Sequence, residues 1–143
     1  MRSFAGSLAA LAVLGCSAGH WYATPQTEQE RLLIGCYRLG PADEAVDLVL
    51  DSLQNAYWAD SDGQYPPRRR VRVNGEIAMG VPNGWYPVEP DSIAIDLIVG
   101  REGQGRSFRL ALRSDSVSGT VTRSGAGRSP SSSSTIAGRR VEC

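Results

Sequence analysis

The sequence predicts an all-β protein, and three observations carry that prediction. Several short segments alternate apolar and polar residues, as half-buried strands do. Gly, Pro and Asn separate these segments, as they do in chains of many short strands. The 143 residues have 41% apolar content, enough for the core of one small domain. We expect about seven or eight antiparallel strands in an up-and-down barrel, because closure removes exposed strand edges. A two-sheet β-sandwich is the alternative.

The charge composition argues against two classes of function. The chain carries 15 basic and 15 acidic residues and a single His, His20, whereas a nucleic-acid binder usually has a basic excess. The His lies near the N-terminus and the sequence has no Lys, so neither a His-based triad in the domain nor a Ser-x-x-Lys motif is available. We therefore expect a protein that is not an enzyme, binds no nucleic acid and needs no cofactor or metal.

The N-terminal residues have the features of an export signal. Arg2 gives a positive start, and residues 4–14 form an uncharged, mostly apolar run that is shorter than the roughly 20 residues of a membrane span. The run ends in Val13-Leu14-Gly15-Cys16. These four residues resemble the lipobox of bacterial lipoproteins, in which the Cys is acylated and cleavage falls before it.

The lipobox resemblance implies a membrane partner and a location. It implies a signal peptide over residues 1–15 and a lipid on Cys16 that anchors the protein in the cell envelope, expected at the outer membrane facing the periplasm. A secreted or soluble periplasmic protein is the alternative. Residues 16–32 are then expected to form a tether, in which residues 28–33 fit a helical turn. The aromatic cluster at residues 20–22 fits either a membrane interface or a patch that rests on the domain.

The cysteine count predicts one disulfide. Of the three cysteines, acylation of Cys16 leaves Cys36 and Cys143 in an oxidising compartment, where an even remainder favours a bond. The pair lies on the first and last predicted strands, so these strands must be neighbours if the bond forms. Two free thiols are the alternative.

The all-β domain is predicted over residues 33–143, and its first strand lies at residues 33–39. Residues 41–57 fit two patterns. Val46, Leu48 and Leu50 alternate as in a strand, whereas Val46, Val49, Leu50 and Leu53 also fit one face of a helix. We predict a strand, because the surrounding segments are β.

The later segments read as hairpins. Asn74-Gly75 between two alternating runs is a strong hairpin signal, and residues 91–123 read as a three-stranded meander in which Gly119 indicates a bulge or a sharp bend. Residues 124–135 are expected to form a flexible loop rich in Ser and Gly, followed by a closing strand at residues 136–143. The residues predicted to face inward are Tyr37, Leu39, Ile93, Ile95, Leu97, Phe108, Leu110, Leu112, Val117 and Val121.

A second resemblance concerns the whole domain. Gly35-x-Tyr37 on the first strand, the run of hairpins and Arg139-Arg140 near the end resemble a lipocalin-type (calycin) barrel. Lipocalins have Gly-x-Trp on the first strand, and a late Arg packs across that aromatic ring at the closed end. Here Tyr replaces Trp, and the second lipocalin motif is absent. The resemblance implies that Gly35, Tyr37 and one of Arg139 or Arg140 pack together at the closed end.

The barrel interior and the one charge cluster each fit two interpretations. A small eight-stranded barrel either is filled by its own side chains or has room for one ligand. We expect a lipid-anchored barrel that binds a small apolar ligand; the alternative is a structural or protein-interaction lipoprotein with a filled core. The one charge cluster, at Arg68, Arg69, Arg70 and Arg72, fits an anionic partner or an edge strand that charge protects against pairing. We favour the edge strand.

Overall fold

The alternating segments fold as strands wherever the described residues cover them. The computed structural model describes residues 21–41, 43–55, 67–78, 83–99, 104–125 and 130–143. In this part of the chain the elements are β1 (Trp21–Ala23), α1 (Glu28–Leu33), β2 (Gly35–Leu39), β3 (Val46–Asn55), β4 (Arg69–Val73), β5 (Glu76–Ile77), β6 (Gly84–Glu89), β7 (Ser92–Val99), β8 (Gln104–Arg113), β9 (Ser116–Ser124) and β10 (Ser132–Val141).

Eight of these strands close into an antiparallel barrel. Following the chain, β2, β3, β4, β6, β7, β8, β9 and β10 each pair with the next, and β10 pairs back with β2. The join between β4 and β6 is the narrowest, with one residue pair, Arg69 and Trp85. β1 adds to the end of β3 and β5 adds to β4. The predicted up-and-down barrel is confirmed, the sandwich alternative is wrong, and residues 46–55 are the strand that we predicted.

The two ends of the barrel differ. We call one the closed end: α1 packs there, and its Leu33 is buried in the core. We call the other the mouth: it carries the β2–β3 connection and the turn between β4 and β5. Asn74 and Gly75 in that turn have φ values of 50° and 85°, as the hairpin prediction requires.

The middle of the barrel is filled by side chains. All of the residues predicted to face inward are buried except Leu112, which is half-buried. Trp85, Tyr37 and Phe108 are the largest buried side chains, and Leu48, Leu50 and Val71 complete the packing around them. Burial of side chains of this size is the main contribution to the stability of such a domain.

The predicted tether is wrong from Trp21 onward. β1 pairs with β3, with Trp21 opposite Asn55, and α1 begins in a capping box in which Thr27 and Glu30 each accept a hydrogen bond from the other's backbone N–H. A capping box stabilises even a one-turn helix by satisfying its free donors. The folded domain therefore starts by residue 21 rather than residue 33, and the helical turn predicted at residues 28–33 is confirmed. Residues 16–20 lie outside the described residues.

The predicted flexible loop is also too long. β9 extends to Ser124 and β10 begins at Ser132, where the prediction placed a loop over residues 124–135. Ser132 pairs with Arg123 in the same register as the rest of the ladder. Strand pairing uses backbone groups, so a run of serines extends it, and the Ser133 and Thr122 hydroxyls add a hydrogen bond of 2.8 Å. Residues 126–129 lie outside the described residues.

Two glycines let neighbouring strands approach closely. Both neighbours of β9 keep a constant register across Gly119, so no bulge is present there. A Cβ at Gly119 would collide with the carbonyl oxygen of Arg109, and one at Gly138 would collide with that of Arg38. Close backbone approach of this kind explains a glycine in the middle of a strand.

Candidate functional site at the barrel mouth

The two cysteines of the domain are joined as predicted. Cys36 on β2 and Cys143 just after β10 form a disulfide with a Cα–Cα distance of 5.3 Å. β2 and β10 are direct neighbours, with Val141 opposite Cys36, so the predicted adjacency of the first and last barrel strands is confirmed. Cys16 lies outside the described residues, and its acylation stays a prediction.

Arg140, rather than Arg139, packs at the closed end. Its guanidinium carbon lies 5.7 Å from the centre of the Tyr37 ring. The same guanidinium donates hydrogen bonds to the carbonyls of Leu32 (3.0 Å) and Ile34 (2.5 Å), and a Cβ on Gly35 would lie 2.8 Å from its Nη2. Arg139 is exposed. Arg140 therefore connects the last strand to the end of α1, which is a structural role.

Burial also acts on the Tyr37 hydroxyl. It raises the pKa of Tyr37, and the nearby charge of Arg140 opposes that shift without cancelling it. The hydroxyl donates a hydrogen bond of 2.5 Å to the carbonyl of Leu33, so the ring is held under α1.

Arg69 is not part of an exposed basic surface of the kind that the anion-binding alternative needs. It points into the barrel with Val71, and its side chain is 5% exposed. Glu30 accepts two of its hydrogen bonds, both at 2.9 Å. Thr24 Oγ1 and the carbonyls of Ser52 and Pro25 accept the others, so all five guanidinium donors are satisfied. This residue binds the segment before β2 to the barrel.

The hydrogen bonds from Arg69 also set the ionisation of Glu30. Burial alone would raise the pKa of Glu30, but the bonds from Arg69 and from the Thr27 backbone, with the Arg69 charge, lower it below its usual value. The carboxylate is therefore held ionised beside its partner.

The other arginines of the cluster alternate with Arg69: Arg68 directly precedes β4, and Arg70 and Arg72 lie on its outer face. Arg68 pairs with Asp96 at 2.5 Å, and Arg70 pairs with Asp51 at 2.5 Å. Arg72 is half-buried, and its Nε has no hydrogen-bond partner among the described residues. β4 is a barrel strand with β3 on one side and β6 on the other, so the edge-strand interpretation that we favoured is wrong. Three of the four arginines, all except Arg72, form ion pairs with carboxylates of the fold.

An open pocket of about 790 Å³ lies at the mouth. Its apolar lining includes Leu97 at the top of the core, Val73 at the end of β4 and Ala78 after β5, together with the exposed Ile77 and Ile98. A second pocket of about 560 Å³ lies beside it, lined in part by Val46 and Ile136. Pockets of 300–1,000 Å³ are the usual size for small-molecule sites.

Two arginines at the mouth were not predicted as site residues. Arg106 lies on the inward face of β8, in step with Phe108, and Arg123 lies on the inward face of β9, in step with Val121. Both line the pocket, and Arg123 lines the second pocket too. The alternation of β8 and β9 alone places these charges on the inward face, but the predicted inward positions included only apolar residues.

Neither a metal centre nor a membrane-spanning helix is found in the described part of the chain. No three His, Cys, Asp or Glu side chains there are placed to share a metal ion. No helix among those residues has both the length and the apolar character needed to cross a bilayer.

Comparisons of the chain with protein-family models, with curated proteins and with solved structures found no match.

Proposed function

We propose that this protein is an exported, lipid-anchored protein of the bacterial cell envelope that binds a small apolar ligand at the mouth of its barrel. The observation that carries the proposal is the open pocket of about 790 Å³. Its size is that of an ordinary small-molecule site, and its base is the apolar top of the core, at Leu97. Because the middle of the barrel is filled, the ligand lies at the mouth and not along the barrel axis.

The disulfide supports the compartment. A bond between Cys36 and Cys143 persists in oxidising environments and is rare in the cytosol. Export also fits the apolar N-terminal run, and the Leu-Gly-Cys sequence that ends it supplies an acylation site at Cys16. Two or three acyl chains exceed the single chain that gives only reversible membrane binding.

Equilibrium dialysis tests ligand binding directly. The full lipoprotein is placed in phosphatidylcholine nanodiscs and dialysed against radiolabelled decanamide, with empty nanodiscs measuring the share that dissolves in the lipid. We expect saturable binding with about one site per protein. Ala78→Trp should abolish it, because Ala78 lines the pocket.

A matched variant controls for the added indole. Ala111→Trp places the same side chain on β8 outside the residues that line the pocket, and it should bind decanamide as the wild type does. Equal binding by all three proteins, or no saturable binding by any, contradicts the proposed pocket.

Intact-mass analysis tests the anchor. Protein extracted from membranes should lack residues 1–15 and carry the mass of the added acyl groups, and Cys16→Ser should move the protein out of the membrane fraction. A mature mass without acyl groups would exclude lipidation.

One observation favours the alternative, a structural or protein-interaction lipoprotein without a ligand. Trp85, Tyr37 and Phe108 are almost completely buried, so the core packs without any bound molecule. Under this alternative decanamide does not bind, and Ala78→Trp changes only stability.

A further inference from the structure

We propose that the ligand at the mouth is an anionic amphiphile whose acidic head group is bound by Arg106 and Arg123. This inference rests on the proposed function, because it concerns the same pocket, but it specifies the chemistry of the ligand. It follows from where the two arginines lie, from the absence of an ion pair to either of them among the described residues and from the apolar surface beside them.

The two arginines are direct cross-strand neighbours. In the β8–β9 ladder, Arg106 is paired with Arg123, and the next inward pair below is Phe108 with Val121. Directly opposed residues of antiparallel strands have their Cβ atoms about 4.5–5.5 Å apart. The guanidinium groups of these two residues are therefore attached at adjacent positions on the inward face of the mouth.

Among the described residues no ion pair neutralises these two charges. Like charges directly opposite each other destabilise a sheet. The other arginines for which the structure gives an ion pair are matched to carboxylates, as Arg38 is to Asp47 at 2.7 Å. Among the described ion pairs none includes Arg106 or Arg123, and Arg123 donates to the neutral hydroxyl of Ser134 at 3.4 Å.

Among the described residues, one acidic side chain lines this pocket. Glu76 lies on β5, is exposed, and takes part in none of the ion pairs of the described residues. The described lining of this pocket therefore carries one carboxylate and two guanidinium groups, a net positive charge, while Glu44 lines the second pocket that Arg123 also lines. An anion between the arginines would relieve their repulsion, and carboxylate or phosphate oxygens match the planar fork of donors that each guanidinium offers.

The apolar surface beside the arginines selects the rest of the ligand. Leu97 on β7 is the cross-strand partner of Arg106 and is 6% exposed. Val73 and Ala78 line the same pocket. A ligand that meets both surfaces has an anionic head at the rim and an apolar chain that lies against Leu97.

The experiment compares two probes of equal chain length. Decanoate is anionic and decanamide is neutral, and both are dialysed against the full lipoprotein in phosphatidylcholine nanodiscs, with empty nanodiscs as the blank. We expect the wild type to bind decanoate about tenfold more tightly than decanamide, as one charge-assisted contact near a surface would give. Raising the salt concentration should reduce this preference, because exposed charges are screened.

A pair of matched variants assigns the preference to the two arginines. Arg106→Gln/Arg123→Gln should bind decanamide as the wild type does and lose the preference for decanoate. Arg113→Gln/Arg139→Gln removes the same charge from exposed residues near the closed end and should keep the preference.

The outcomes distinguish the anionic head group from ligand binding at the mouth. If decanoate and decanamide bind equally to the wild type, or if Arg106→Gln/Arg123→Gln keeps the preference, the anionic head group is refuted while ligand binding at the mouth stands. If neither probe binds, the proposed function fails and this inference fails with it.

Stability gives a readout that does not need a ligand. Arg106→Glu replaces the like-charge pair with an opposite-charge pair, so it should raise the melting temperature of the ligand-free protein and abolish the preference for decanoate. A lowered melting temperature would show that the pair is already neutralised in the fold, which overturns the argument from repulsion.

Discussion

The buried ion pair of Glu30 and Arg69 predicts that the single change Glu30→Gln greatly lowers the free energy of unfolding. Glu30→Gln keeps the shape of the side chain and one acceptor oxygen but removes the charge. Arg69 is 5% exposed, so its guanidinium would be left buried without a counterion. Breaking a buried ion pair in this way costs about 3–5 kcal/mol, and we expect about 3 kcal/mol because three neutral acceptors remain. That is a substantial share of the roughly 5–15 kcal/mol that stabilises an ordinary domain.

Urea unfolding of the full protein with its disulfide intact measures this loss, and Glu28→Gln is the matched control. Glu28 lies in the first turn of the same helix and is exposed, so its replacement should cost no more than about 1 kcal/mol. The double variant Glu30→Gln/Arg69→Met should lose less than the sum of the two single changes, because it leaves no unpaired charge. Equal losses for Glu30→Gln and Glu28→Gln would refute the reasoning.

The same pair predicts how stability depends on pH. The pKa of Glu30 is lowered in the folded protein, so the pair contributes fully above the pKa of the unfolded carboxyl, about 4.3. The contribution is lost as the pH falls through the folded value. The wild type should therefore lose stability more steeply than Glu30→Gln below about pH 4, and parallel curves would contradict this.

Three further predictions concern the ends and the strands of the barrel. Replacing Cys36 and Cys143 by Ser should lower the free energy of unfolding by up to about 4–5 kcal/mol, since the bond closes a loop with a sequence separation of 107. Urea unfolding measures this loss, and an unchanged midpoint of unfolding would argue against a stabilising disulfide. Arg140→Met should cost about 1–3 kcal/mol by leaving two carbonyls without donors, while thermal melts of Arg139→Met should match the wild type; equal losses would contradict the assigned role. Gly119→Ala should cost about 1–3 kcal/mol through a backbone collision, and a wild-type melting temperature would show that the strands can separate there.

Alternation in the sequence predicted most of the barrel. Leu48 and Leu50 share a face as a strand requires, and the structure buries both. The hairpin at Asn74-Gly75 and the meander that follows depend on local signals of the same kind. The disulfide was predictable because the expected acylation of Cys16 leaves two cysteines in an expected oxidising compartment. A bond between them then requires the first and last barrel strands to be neighbours.

The errors concern contacts between distant parts of the chain. Nothing local shows that Glu30 meets Arg69, 39 positions later, so residues 21–32 read as a tether and the arginines of β4 read as a surface patch. The serines at the start of β10 have no apolar alternation, and their pairing depends on the edge that β9 presents. Arg106 and Arg123 could have been placed on the inward face by counting, but their meeting requires the register between β8 and β9.

The position of β1 sets how the protein would lie against a membrane. Trp21 is paired with the last residue of β3, which lies at the closed end. An acyl chain on Cys16 would be separated from Trp21 by five residue steps, a connecting segment of at most roughly 18 Å. So short a connection would hold the closed end toward the bilayer and would turn the mouth toward the surrounding aqueous space. A ligand would then reach the pocket from the water and not by lateral movement out of the lipid.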